Sequence, residues 1–396
     1  MKKVLILGGG FAGVEAAIFL KKEGDFDVTL VSDRDYFYIY PTSIWVPTGE
    51  ATFESQCIPL EDLKYVHDFN VVIDTVQEIH SKEKRIVCKN REFTDFDYLI
   101  IAIGSGKVKH KGSKHFLSIC GKPEESIKIK ERIDALIEKG SGKIAMGFGG
   151  NPKDPSNVRG GPAFEVLFNV HNKLEKLGIR ENFELTFFAP MKEPGARMGP
   201  QALKMMDLFF NRLNIKRVTG KKIKEFTENG ILLEDDSLIE SDFTMFIPAG
   251  NGHPVFKKSD LPLNDAGLIR INDYCEVLHD YDETEDRYPI FAIGDSAELE
   301  GPDWRAKQGH IAEVMARNTA FNIAQMEKGS SERKGYKDHI NILCVMDSGD
   351  GAAFVYRSDK GGKMIPMPFV GHLLKKGWGW YCRNSKLGRI PRIPGM

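Results

Sequence analysis

Cysteine is scarce, six in 396 residues, which excludes a disulfide scaffold and suits a reducing compartment. An excess of charge of either sign is missing too. Lys and Arg total 55 against 56 Asp and Glu, which argues against a nucleic-acid binder that relies on a strongly basic surface. No charge-free apolar run approaches the ~18 residues of a transmembrane helix. The N-terminal MKKVLILGGG breaks off at three glycines with no cleavage site behind it, so export is not expected. There is no low-complexity tract. Ten histidines show no metal-ligand spacing, no metal is expected, and no Ser-His-Asp pattern is evident. What is present, 41% hydrophobic and 28% charged residues, describes a globular chain long enough for two or three domains.

Acidic residues vanish altogether after Asp359. From Lys360 to Met396 stand eight basic residues, among them Lys363, Lys375, Lys376, Arg383, Lys386, Arg389 and Arg392, with Phe369, Trp378, Trp380 and Tyr381 between them. Rings at headgroup level and cations on lipid phosphates suit an anionic membrane surface. That reading is preferred to a basic arm packed on its own protein, because the Trp, Tyr and Leu residues show no strand or helix period that would bury them.

The chain opens with one complete βαβ unit: a strand at 3–7, Gly8-x-Gly10-x-x-Gly13, a helix at 11–23, and a strand at 27–31. The first glycine permits the tight turn, the second lets a pyrophosphate approach the backbone, and the third lets helix close on strand. Phe11 and Ala12, between the glycines, belong to the same expected site. About 20 residues on, where an acid usually takes ribose hydroxyls, stand Ser32 and Asp33; the acid is either displaced by one position or replaced by serine. A strand at 97–103, a helix at 123–139, a strand at 143–147, a helix at 162–177 and a strand at 183–189 follow. They make a second βαβ unit. Strands and turns fill 213–250, a strand at 289–293 precedes a helix at 306–327, and a strand at 340–346 opens a C-terminal subdomain.

The second glycine turn reads Gly147-Phe148-Gly149-Gly150-Asn151-Pro152, and eight residues separate Asn151 from Gly160. Pro152 replaces the third glycine, and the next strand ends in Ala189-Pro190, offering no acid. The fold element is kept while its pyridine-nucleotide chemistry is expected to be lost.

Ala102-Ile103-Gly104-Ser105 and Phe291-Ala292-Ile293-Gly294-Asp295 resemble the paired signatures of two-dinucleotide-domain flavoproteins. The resemblance implies FAD, with Asp295 holding its ribityl chain. More specifically, the chain resembles sulfide:quinone oxidoreductases and the flavin subunits of flavocytochrome c sulfide dehydrogenases over nearly its whole length. The carriers are Asp35 to Val46 with Pro41 and Thr42, Gly161-Pro162-Ala163-Phe164-Glu165, Lys307-Gln308-Gly309 with Glu313 beyond, Cys344 to Gly349, and the aromatic, basic tail.

That likeness implies an α/β fold of two Rossmann-like domains. Residues 1–115 and 262–328 form the FAD domain, 116–261 a degenerate second domain, and 329–396 a subdomain with an amphipathic tail for membrane and quinone. It places Gly8, Gly10, Phe11, Ala12, Gly13, Ser32, Asp33, Pro41, Thr42, Val76, Ala102, Gly104, Gly294, Asp295, Lys307, Gln308 and Gly309 at the cofactor. It makes Cys344, Cys120, Glu165 and Lys307 catalytic.

The family uses up to three cysteines. Cys120 matches the first and Cys344 the last, but Arg159 stands near the place of the middle one. Arg197 stands where a histidine is common. Sulfide oxidation needs an electrophilic sulfur to accept HS⁻ and a thiolate to pass on the electron pair. Arg159, Arg197 and Lys307 could supply the positive field that favours the thiolate. Both cysteines could instead be small buried hydrophobes. The Gly-, Ser- and Lys-rich loop 105–120 is expected to be mobile enough to swing Cys120. Cys57, Cys88, Cys275 and Cys382 read as structural.

The expected partners are sulfide or a small sulfur species, a quinone, and the membrane surface reached from the cytoplasmic side as a monotopic inner-membrane protein. A homo-oligomer stays open. The alternatives are a type II NADH:quinone dehydrogenase and a flavoprotein subunit docking on an electron-carrier partner.

Overall fold

The computed structural model describes residues 1–278 and 288–393. Residues 279–287 of the segment expected in the FAD domain, and 394–396 of the tail, lie outside the described residues.

The elements that position the site run in chain order as β1 (Lys2–Leu7), α1 (Phe11–Glu23), β2 (Phe26–Ser32), β3 (Asn70–Ile73), β4 (Tyr98–Ile101), α2 (Glu125–Lys139), β5 (Gly142–Phe148), α3 (Gly161–Lys176) and β6 (Phe183–Ala189). Then come β7 (Lys216–Thr219), β8 (Phe243–Ile247), β9 (Ile290–Ala292), α4 (Gly309–Glu327), β10 (Ile342–Asp347), β11 (Gly351–Ser358), β12 (Gly361–Pro368) and α5 (Val370–Lys386).

A five-stranded parallel sheet has the order β9-β4-β1-β2-β3, with Val4 of β1 facing both Val28 and Tyr98. Its central strands β1 and β4 carry unbroken apolar runs because both of their faces are covered; Leu5, Ile6 and Leu7 are all buried, as are Tyr98 to Ile101. Chain order reverses between β1 and β4, and the crevice beyond their carboxyl ends is where such sheets bind ligands. A second parallel sheet, β7-β6-β5-β8, is drawn wholly from residues 142–247. Phe164 of α3 stacks on Phe187 of β6 at 4.6 Å between ring centroids, seating that helix on the sheet. An antiparallel sheet, β10-β11-β12, precedes α5.

This is the α/β architecture expected. Two helices were not foreseen, Leu60–His67 and Pro200–Arg212. The second carries a start signal, proline in its first turn after Gly199.

The tail corrects the reading that it lacks a period. Residues 370–386 form one helix, in which Gly371, Lys375, Cys382 and Lys386 recur at helical spacing on a buried face. The opposite face exposes Val370, Leu373, Leu374 and Trp380, preceded by the exposed Phe369. Among the described residues no helix is long and apolar enough to cross a membrane.

Candidate active site

Each glycine of the first turn meets a different constraint. Gly8 has φ +113°, and a Cβ there would fall 2.3 Å from the Ala102 carbonyl oxygen. A Cβ on Gly13 would lie 1.8 Å from the Gly8 carbonyl oxygen, so α1 closes on the end of β1 only through glycine. At Gly10 a Cβ meets nothing within 4 Å. It faces a cavity of about 1120 Å³, above the ~300–1,000 Å³ usual for small-ligand sites. Helix α1 has neither a side-chain cap nor an acid in its first turn, leaving its free N–H groups for an anionic ligand. An open cradle at Gly10, closed walls at Gly8 and Gly13, and a helix N-terminus together fit a dinucleotide pyrophosphate.

Most of the expected cofactor residues line this cavity. Gly8, Gly10, Phe11 and Ala12 come from the turn, and Asp33, Pro41 and Val76 from beyond β2. Ala102 and Gly104 follow β4; Gly294, Asp295, Lys307, Gln308 and Gly309 join β9 to α4. Three do not line it. Gly13 packs helix on strand. Ser32 is a correction: its hydroxyl donates to the Arg34 carbonyl at 2.6 Å and accepts from the Arg34 amide at 3.3 Å, closing its own turn. Of the two, it is Asp33 that lines the cavity. Thr42 is a second correction. It is buried, donates to the Ile39 carbonyl at 3.3 Å and to Gln56, and sits under Gly379 of α5.

Cys120 and Cys344 are both free thiols, and both line the same cavity. Their surroundings differ. At Cys344, burial pushes the thiol up to about 12, and the neighbouring Glu165 carboxylate pushes the same way. Glu165 is itself buried, pairs with Lys375 of α5, and accepts the Asp347 amide at 2.9 Å. Burial raises its pKa and Lys375 opposes. At Cys120, burial also pushes the thiol up, but Arg159 and Lys107 pull back.

Of the three cations expected to supply a positive field only Arg159 acts on Cys120, joined there by Lys107, while Lys375 acts on Cys344. Arg159 pairs with Asp295 and is the larger of the two cationic influences that lower the Cys120 thiol. Arg197 is spent on the Val158 carbonyl at 2.7 Å and the Arg305 carbonyl at 3.4 Å. Lys307, pushed down to about 7 by burial, donates to the Asp295 carbonyl at 3.1 Å and to Ala297. The loop 105–120 does not hang free. Leu117 donates to Thr244 at 3.2 Å and accepts from Phe246 at 2.9 Å, tying the segment to β8. Cys88, Cys275 and Cys382 are buried, and Cys57 is partly so.

The segment between β5 and α3 is folded rather than open. Asn151 donates to the Gly250 carbonyl at 2.8 Å, and Asp154 accepts from the Ser156 amide and the Asn157 side chain, both at 2.9 Å. The Lys307 amide reaches the Ser156 carbonyl at 3.1 Å. Glu193, four residues past β6, lines the cavity and is an acid that the Ala189-Pro190 strand end did not suggest.

Lys375 also changes role: it is an internal partner of Glu165, not a surface cation. Lys386 and Arg392 are likewise internal, both bound to Glu15 and Glu313. Arg383 donates to the backbone carbonyl of Ser55 at 2.9 Å. Of the basic residues named in the tail, Lys363, Lys376 and Arg389 remain exposed. Within α5 the helical period turns Lys375 and Lys386 inward and leaves Lys376 outside.

With this geometry the chain can be placed among known proteins. The sequence pattern of the pyridine nucleotide-disulphide oxidoreductases matches residues 2–318. A sulfide-quinone reductase of Aquifex aeolicus is 25% identical over 367 residues, 90% of this chain and 83% of that protein. A type II NADH:quinone oxidoreductase of Staphylococcus epidermidis is 24% identical over 388 residues, 91% of this chain and 92% of that one. The crystal structure of the sulfide:quinone oxidoreductase from Aquifex aeolicus superposes with a TM-score of 0.85 at 22% identity, covering 98% of this chain and 92% of that one. That likeness shows the two-Rossmann-domain fold. The chain belongs to the pyridine nucleotide-disulphide oxidoreductase family and is a flavin-dependent oxidoreductase whose cofactor is FAD.

Proposed function

We infer that the protein oxidises sulfide, or a related small sulfur species, through Cys120 and Cys344, and delivers the electrons to a membrane quinone. The observation that carries this is the meeting of both thiols with Gly10 and Asp295 on one cavity. FAD supplies a two-electron carrier able to exchange with thiols and quinones. The Gly8–Gly13 turn would hold its pyrophosphate, Asp33 its ribose hydroxyls, and Asp295, with Lys307 beside it, its ribityl chain. In the oxidised protein, HS⁻ attacks a sulfur bridging Cys120 and Cys344. One S–S bond breaks, one sulfur becomes the persulfide, and the other leaves as thiolate with the electron pair. Glu165, its carboxyl raised by burial beside Lys375, can hold a proton at the cavity.

In this reading residues 1–115 and 262–328 form the FAD domain, 116–261 the second, and 329–396 the membrane subdomain. The exposed face of α5 rests on the cytoplasmic side of the inner membrane and brings the quinone to the site. The folded segment 149–160 stands where a dinucleotide would enter the second unit, which speaks against NADH as donor.

A second reading, oxidation of NADH, is favoured by Glu193 on the cavity and by relatives of that activity. Anaerobic stopped-flow reduction of the flavin, with sulfide, polysulfide and NADH offered in parallel, separates the two. Rapid bleaching by sulfide is expected. Bleaching by NADH within milliseconds, with none by sulfide, overturns the first reading.

A further inference from the structure

Among the described residues, a lysine on the wall of the site has no partner for its ammonium. Lys107 is partly buried and lines the cavity near Cys120 and Arg159. It sits on a short strand, Gly106–Lys107, paired with Gly250–Asn251, and the next amide, Val108, donates to the Ala249 carbonyl at 2.9 Å. Its backbone is therefore fixed. Yet among the described residues its ammonium has neither a hydrogen-bond partner nor an ion pair. The acid that faces it, Glu125, is committed elsewhere, accepting the Ser118 amide at 2.8 Å and the Lys122 amide at 3.0 Å. Arg159 is matched by Asp295. An ammonium with no protein partner thus stands on the cavity that Cys120 and Arg159 also line.

An ammonium with unused donors at the wall of a cavity can donate charge-assisted hydrogen bonds to a bound anion. We propose that Lys107 and Arg159 form an anion-binding subsite at Cys120 that takes a small, soft monoanionic sulfur species such as hydrosulfide or the terminal sulfur of a persulfide. Arg159 holds the anion against Cys120 while Lys107 supplies the charge. The position where the resemblance implies a third cysteine is thus used to bind the substrate electrostatically. This assignment deepens the sulfide reading and rests on it for the identity of the anion, but not for the subsite.

The test uses oxidised holoenzyme and thiocyanate as a soft, unreactive monoanion, titrated at constant ionic strength while the flavin absorption spectrum is followed. Wild type is expected to show a saturable perturbation. Lys107→Gln, with flavin content unchanged, is expected to bind about tenfold or more weakly, and Lys107→Arg to retain affinity, as a charge-assisted contact requires. Equal half-saturation in wild type and Lys107→Gln, or no saturable perturbation in wild type, overturns the subsite.

A wild-type pH series gives a second arm that needs no variant. Burial and then Arg159 lower the pKa of Lys107 to about 8, with Cys120 and Glu125 opposing, so affinity should fall as pH rises through that value. Affinity unchanged between pH 7 and 10 overturns the subsite. If thiocyanate binds as described while sulfide fails to bleach the flavin, the subsite stands and the sulfide reading falls.

Discussion

The ammonium of Lys386, near the end of the last helix, donates to the Glu15 carboxylate at 2.9 Å, although 371 residues separate the two in sequence. Glu15 stands on the helix that follows the first glycine turn, and Glu313 of α4 takes the same ammonium at 2.8 Å. Arg392 joins both acids at 2.8 Å. The C-terminal half of the tail is therefore a clamp on the FAD-side helices, while its N-terminal half presents the apolar face.

Lys386→Met is expected to lower stability by about 3–5 kcal/mol, because it leaves Glu15 and Glu313 short of a buried cation. Urea unfolding followed by circular dichroism measures this. Deleting 364–396 should act more severely, since Lys375, Lys386 and Arg392 leave together and strand Glu165 as well. A stable, soluble, flavin-replete truncation would show that the clamp contributes little.

Acid should weaken the same contact. Burial alone would raise the Glu15 pKa, but Lys386, Arg392 and Arg317 hold it down at about 2. A carboxylate depressed on folding stabilises above its unfolded pKa of about 4.3 and loses that contribution as pH falls toward 2. Melting temperature should drop steeply from pH 5 downward. Lys386→Met should show a shallower drop; identical profiles would remove Glu15 as the group responsible.

Gly10→Val and Gly13→Ala should fail differently. The first projects a side chain into the open cavity, so a folded apoprotein is expected. The second drives a Cβ onto the Gly8 carbonyl oxygen, and overpacking of this kind costs about 1–3 kcal/mol or more. Flavin content and melting temperature, measured together, separate the two. A flavin-replete Gly10→Val would contradict the cradle.

Cys344→Ser should retain the flavin spectrum yet slow reduction by sulfide by more than about 100-fold, since an alcohol cannot replace the thiol in S–S exchange. With Arg159 in the middle position, Cys120→Ser should be as severe. Stopped-flow traces that leave Cys120→Ser near wild type would exclude a bridge between the two cysteines.

Replacing Leu373 and Leu374 with Asp touches only the exposed face of α5 and should leave stability nearly unchanged. Sedimentation with anionic vesicles should then lose the protein from the pellet. Because few of the tail cations are exposed, raising salt should weaken wild-type binding only modestly; screening acts within a Debye length of ~10 Å at 0.1 M. Full release by salt alone would show that charge, not apolar burial, holds the surface.

Local pattern carried much of this protein. The glycines of the first turn, the apolar strands on either side of it and the Gly294-Asp295 strand end are all short-range signals. Each reflects a constraint within a few residues: a φ only glycine adopts, or a strand buried on both faces. The same signals left Ser32 and Asp33 unresolved, because one residue along a strand end reverses the direction of a side chain.

What needed the tertiary structure is the partnering of charge. Lys375 reads as a membrane cation until Glu165, 210 residues earlier, is found beneath it. Lys386 does so until it meets Glu15. Arg159 reads as a missing cysteine until Asp295 is found paired with it, and nothing in the sequence marks Lys107 as a lysine on the cavity wall. A charged side chain carries no sequence mark of burial, because its cost is offset by partners that only the packing of distant helices and loops brings within reach.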